Sequence, residues 1–131
     1  MPGLDHVTLS ARDFELNVAF YDAALGALGW VRAVEIGDEE EDDADVEVVS
    51  WGPTESEPTI WLVAGAVSTQ GVHVALAAAN GAAVSAFHAA ALAAGGTSHD
   101  APRRWPIIRR GQFNAIVIDP NGNLIEAVAP E

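Results

Sequence analysis

His6-Val7-Thr8-Leu9 and His73-Val74-Ala75-Leu76 are one segment written twice, 67 positions apart. Carried forward at the same offset, Ala19-Phe20, Ala23-Ala24-Leu25, Ala27 and Gly29 fall on Ala86-Phe87, Ala90-Ala91-Leu92, Ala94 and Gly96. Between His6 and Gly29, 11 of 24 positions are identical without a gap. Alanine is common throughout the chain and inflates that score, but histidine, phenylalanine, leucine and glycine also stay in register. The pattern reads as a duplication. Two equivalent strands that each open with a histidine can face one another across a pseudo-twofold axis and share one centre.

Each copy unfolds into the same order of elements. From Leu4 to Ala11 the two-residue period puts His6, Thr8 and Ser10 on one strand face and Val7, Leu9 and Ala11 on the other, the polar face toward a cavity. Asp13 suits a helix N-cap, and Phe14, Val18, Tyr21, Leu25 and Leu28 recur at helical spacing until Gly29. Strands are expected at Trp30 to Ile36, Val46 to Trp51 and Thr59 to Ala64. The second copy offers a strand over Val72 to Ala77, a helix from about Asn80 to Ala94 and a weak strand near Thr97. Two stronger strands follow at Phe113 to Ile118 and Asn123 to Val128. Between them Asp119-Pro120-Asn121-Gly122-Asn123 has the chemistry of a hairpin turn, because proline presets φ and Asn-Gly tolerates positive φ. The fold class is therefore α+β. A single domain is expected over 1–131, made of two tandem βαβββ modules at about 1–66 and 67–131.

Aligning the closing strands sets Ile60-Trp61-x-Val63-Ala64 over Ile125-Glu126-x-Val128-Ala129. Trp61 is thus the symmetry mate of Glu126. The internal symmetry predicts convergence of His6, Trp61, His73 and Glu126.

Composition bounds the setting. At 131 residues the chain is long enough to bury roughly two-thirds of its unfolded surface. A net charge of −13, with six arginines as the only basic residues apart from histidine, argues against nucleic acid or anionic lipid as partner. The absence of cysteine excludes disulfides, thiolate catalysis and Cys-based zinc sites. No basic and apolar leader pattern precedes the first strand, and the alanine-rich stretch 74 to 96 is too weakly apolar for a membrane span. A cytoplasmic protein is expected. No Gly-rich phosphate loop, nucleophile elbow or Ser-His-Asp arrangement is present.

Four blocks in this order resemble the vicinal oxygen chelate superfamily of glyoxalases, bleomycin- and fosfomycin-resistance proteins and extradiol dioxygenases. They are Leu4-Asp5-His6-Val7-Thr8-Leu9, Ala19-Phe20-Tyr21-Asp22-Ala23-Ala24-Leu25, Gly71-Val72-His73-Val74-Ala75-Leu76 and Asp119-Pro120-Asn121-Gly122-Asn123-Leu124-Ile125-Glu126-Ala127-Val128. The resemblance implies a cup-shaped half-barrel of two four-stranded units, with metal ligands drawn from the first and last strands of each. Those strands carry His6, Trp61, His73 and Glu126.

Trp61 departs from the glyoxalase pattern, in which a carboxylate or similar ligand stands there and often serves as base. That leaves His6, His73 and Glu126, a two-histidine, one-carboxylate set with open positions for bidentate substrate oxygens. The resemblance implies a divalent ion, with iron, manganese, zinc and nickel not distinguished, and dioxygenase, lyase or isomerase chemistry on a small molecule with vicinal oxygens. The alternative is a metal-free cup that binds or sequesters a small molecule, as resistance-type members do.

Trp51 and Trp61 are candidates for an aromatic wall, with Phe113 and Arg109 completing the candidate ligand contacts. Arg103, Arg104, Arg109 and Arg110 crowd one loop, so a guanidinium at the mouth would pair with an anionic substrate group. The acidic run 38–45 reads as a solvated loop. No residue is assigned as catalytic acid or base. By analogy with such cups, a homodimer is expected.

Overall fold

The computed structural model describes residues 3–36, 47–105 and 111–130. The first half runs β1 (Val7–Ala11), α1 (Phe14–Gly26), β2 (Val31–Ile36), β3 (Val48–Gly52) and β4 (Ile60–Ala64). The second runs β5 (His73–Ala77), α2 (Gly81–Ala93), β6 (Thr97–Arg104), β7 (Gln112–Ile118) and β8 (Leu124–Pro130). The sheets have the orders β1-β4-β3-β2 and β5-β8-β7-β6, each with one parallel pair made by the module's first and last strands. Two tandem βαβββ modules of an α+β fold are therefore present.

The duplication holds to the residue. Thr8 pairs with Trp61 and Ala75 with Glu126, so the two closing-strand residues occupy the same place in their modules. Each helix starts alike: the Asp13 side chain accepts from the Leu16 N–H, and the Asn80 side chain from the Ala83 N–H. On the helix-facing side of the sheets lie Leu9, Trp51, Ile60 and Leu62 in one module and Leu76, Val117, Ile125 and Ala127 in the other, all buried. Phe20 and Phe87, fully buried at equivalent positions, seal them. Burying a side chain of this size contributes about 1.5–3 kcal/mol.

The modules meet through α1 and α2. At Gly96 an added Cβ would stand 2.6 Å from the Phe20 ring and 2.9 Å from the Ala91 carbonyl, so this seam requires glycine. The β7–β8 turn supplies its polar clasp. Asp119 Oδ1 accepts from the Asn121 and Asn123 N–H groups at 2.9 Å each, while Oδ2 accepts from the Tyr21 hydroxyl of the other module. Burial, with the Asp119 carboxylate and this hydrogen bond adding to it, pushes the Tyr21 phenol well above its ordinary pKa. Asn17, also buried, donates to the Asp13 carbonyl and to Asn121 Oδ1. The linker lies along β1, with Thr69 N donating to the Ser10 carbonyl at 2.8 Å.

Two expectations change. The weak strand near Thr97 is an eight-residue strand, the longest among the described residues. Its polar sequence and Pro102 disguise it, and both are tolerated because β6 is an edge strand bonded only to β7, with register shifts on either side of Asp100. The first strand begins at Val7 and not Leu4, which leaves Leu4 81% exposed and His6 at the strand's threshold. The acidic run 38–45 lies outside the described residues, as does Val46 at the expected start of the third strand.

Candidate metal and ligand site

Alternation along β8 turns Ile125 and Ala127 toward α2 and Glu126 and Val128 to the other face. There, parallel pairing sets Glu126 opposite Ala75, next along from His73. His73 Nε2 donates to Glu126 Oε1 at 2.8 Å. The second carboxylate oxygen, Oε2, accepts from Asn114 Nδ2 at 2.6 Å. Glu126 is fully buried, whereas the His73 side chain is 41% exposed. The imidazole thus leads from solvent to a carboxylate held beneath it. An open depression of about 410 Å³ above them is lined by His73, Ala75, Gln112, Glu126 and Val128. A larger one, about 840 Å³, lies elsewhere at Arg12, Asp13, Phe14, Glu15, Glu47, Ser68 and Asn121, and shares none of these residues.

The first module repeats this geometry with different chemistry. His6, 48% exposed, has its Nδ1 2.8 Å from Asp5 Oδ1, and its ring meets Trp61 edge-on at 6.1 Å between centroids. His6 therefore stands to Trp61 as His73 stands to Glu126. The four-way convergence expected from the repeat does not occur within one chain. The two pairs sit on separate sheets, and among the described residues no three histidine, aspartate or glutamate side chains gather as a metal site.

A two-member donor set can still be tested for fit. Two ligand atoms about 2.1 Å from one ion and at right angles stand about 3 Å apart. His73 Nε2 and Glu126 Oε1, at 2.8 Å, are close to that spacing. The pair suits two positions of a divalent ion and lacks a third.

The remaining candidates separate by sheet face. Trp61 lies on the open face, half-buried, where it can wall a ligand. Trp51 does not: its neighbour Ser50 pairs with Trp61, so Trp51 points to α1, where it is 1% exposed against Tyr21. Its Nε1 donates to Asp22 Oδ1 at 2.9 Å. Asp22 also takes a two-pronged contact from Arg32. Burial raises the Asp22 pKa, but the Arg32 and Trp51 hydrogen bonds outweigh it and hold the carboxyl below its ordinary value. Phe113 is likewise turned away, paired with Ala129 and packed over Gly81 at the start of α2. Both aromatics belong to the core because strand parity, which the chain pattern alone left unphased, puts them on the helix side. Arg109 lies outside the described residues. Arg103 is described: it pairs with Asn114 across β6 and β7, and its guanidinium stacks 4.2 Å over the Trp105 ring.

Asn114 is the site residue that sequence reasoning missed. The signal was available, since it is the lone polar residue in Phe113-Asn114-Ala115-Ile116-Val117-Ile118, just as Glu126 is in its own strand.

Solved structures share this architecture. A glyoxalase/bleomycin resistance protein from Albidiferax ferrireducens is 27% identical, with 97% of this chain and 98% of that one covered at a TM-score of 0.67. A glyoxalase/bleomycin resistance protein/dioxygenase family enzyme from Burkholderia phytofirmans, 20% identical, matches over 99% and 100% of the two chains at 0.68. A glyoxalase I mutant from Zea mays, 20% identical, matches 95% of this chain but 45% of its own length at 0.71. No curated protein matches at a significant level. The family model described as Glyoxalase/Bleomycin resistance protein/Dioxygenase superfamily matches residues 3–127, and with the paired modules this establishes that the chain belongs to that superfamily.

Proposed function

We propose that the protein is a divalent-metal-dependent enzyme acting on a small molecule with adjacent oxygens, by dioxygenase-, lyase- or isomerase-type chemistry, in a cup shared by two copies of the chain. His73 and Glu126 come from one copy and His6 from the other. The observation that carries this reading is the 2.8 Å approach of His73 Nε2 to Glu126 Oε1 on an open sheet face. Support for sharing comes from the repeat: His6, one residue ahead of β1, matches His73 at the start of β5, and β1 and β5 belong to different sheets of the same chain. A twofold axis relating two copies would set the β1–β4 sheet of one against the β5–β8 sheet of the other, twice over.

A bound ion would supply Lewis acidity toward two substrate oxygens and, if iron, partnership with dioxygen. The chain's own groups do the rest. Ala75 leaves room beside His73, Val128 keeps one wall apolar, and Gln112 offers amide hydrogen bonds at the rim. Trp61 of the facing sheet stacks on a flat ligand. Arg103, steadied by Trp105, favours an anionic group. With Trp61 in place of a first-module carboxylate, the closing strand of that module offers no base at this position.

A second reading has its own support. His73 and Glu126 already satisfy one another, so a metal-free cup that sequesters a small molecule is also consistent with the geometry.

Subunit complementation decides. His6→Ala and Glu126→Ala chains are each expected to lose metal binding. After mixing by unfolding and refolding, half the dimers are hybrids with one intact cup, which restores about a quarter of the wild-type metal sites. No recovery with intact dimers overturns the shared cup. Wild-type protein that takes up no Mn²⁺, Fe²⁺, Zn²⁺ or Ni²⁺ in calorimetry overturns the metal-dependent reading and leaves the binder.

A further inference from the structure

We propose that Asn114 is the positioning residue of this site, presenting Glu126 through a single oxygen; the role toward metal rests on the reading above. Its Nδ2 donates to Glu126 Oε2 at 2.6 Å, short for an N–H bond. That contact leaves Oε1 as the oxygen facing His73. Asn114 is fully buried, and its own Oδ1 has no hydrogen-bond partner. A buried orphan acceptor is costly, so the amide is held here by what its nitrogen does and not by satisfaction of its own groups.

The internal repeat supplies an independent argument. Asn114 pairs with Val128, two residues along from Glu126; in the other module Val48 pairs with Val63, two residues along from Trp61. Asn114 and Val48 are therefore equivalent, as are Glu126 and Trp61. The polar pair is present where the last strand carries a carboxylate, and an apolar pair where it carries an indole. Such diagonal cross-strand neighbours touch through long side chains. The two exchanges come as one unit, as expected if Asn114 serves Glu126.

With Oε2 engaged by Asn114, Glu126 would offer an ion Oε1, leaving room for substrate oxygens beside it. Without Asn114, Oε2 loses this donor and the alignment of Oε1 with His73 Nε2 is expected to loosen.

Asn114→Val, which installs the residue found at the equivalent position, tests this, with Asn114→Ser as a smaller second variant should the first fail to fold. Calorimetric titration with Mn²⁺ is expected to show a Kd raised about 10- to 100-fold, the usual consequence of losing a partner that orients a ligand. In metal-free protein, the His73 imidazole ¹⁵N resonances are expected to move toward those of Glu126→Ala, because the carboxylate no longer holds Nε2–H. A folded variant that binds Mn²⁺ within about twofold of wild type with His73 resonances unchanged overturns the proposal. Wild type that binds no Mn²⁺ sinks the metal reading alone. The His73 spectrum then still decides whether Asn114 positions the carboxylate, and unmoved resonances overturn that role.

Discussion

The two modules share a backbone and differ in what they build on it. In the first, Asp22, Arg32 and Trp51 tie α1 to β2 and β3, and the open face carries His6, Trp61 and Val48. In the second, the positions matching Asp22 and Arg32 are Ala89 and Ser98, and the open face carries His73, Glu126 and Asn114. Polarity is thus transferred from a partly exposed cluster on the helix side of the first sheet to a buried one on the open side of the second. The lesson is that a duplicated scaffold tolerates such a transfer because strand parity isolates the two faces: a charge on one does not have to be solvated by the other.

The shared scaffold gives the largest test. Phe20→Ala and Phe87→Ala, at equivalent and fully buried positions, should each cost about 3–5 kcal/mol in urea unfolding. Losses that differ by more than a factor of two would break the equivalence of the two cores.

A middle-sized effect sharpens the contrast at the seam. Tyr21 occupies the position of His88, but Tyr21 is buried against Asp119, whereas His88 is only half-buried beside Ser98. Tyr21→Phe should cost about 1.5–3 kcal/mol, and His88→Phe less than about 0.5. The pH dependence has a definite sign. Because the folded-state pKa of Tyr21 is raised, its contribution is complete below the unfolded value near ~10 and fades as pH climbs beyond it. Tyr21→Phe should flatten that alkaline limb. An unchanged slope above that pH would remove Tyr21 as the cause.

The smallest effect belongs to the first module alone. Asp22→Asn should cost roughly 0.2–1 kcal/mol, since both members of the Asp22–Arg32 pair are more than a third exposed. The depressed Asp22 pKa means this contribution is present above about pH 4 and lost as pH falls through the folded value. Thermal melts that show the same acid sensitivity with and without the carboxylate would rule out this account.

Much of the architecture was legible in the chain because duplication phases it. Once His6 matched His73, the order of strands, the Asp13 cap and the 119–123 turn followed from periodicity and turn chemistry. The turn also clasps Tyr21 and Asn17 across the module seam, a role no local pattern expresses. The eight-residue β6 was underread because propensity describes central strands better than edges. His73 and Glu126 come together as the repeat implied, while Trp51 and Phe113 lie on the helix side, one residue of parity from the face that carries Trp61 and Glu126.

By itself the sequence determined the repeat, the α+β class and the equivalence of His6 with His73 and of Trp61 with Glu126, since these rest on spacing that the backbone must obey. Only the tertiary structure decided that His73 and Glu126 meet at 2.8 Å, that Asn114 backs the carboxylate, and that His6 stands at the edge of the other sheet. Spacing along a strand fixes which face a side chain shares. Distance between sheets depends on how helices pack, and α1 against α2 is a contact between residues far apart in the chain.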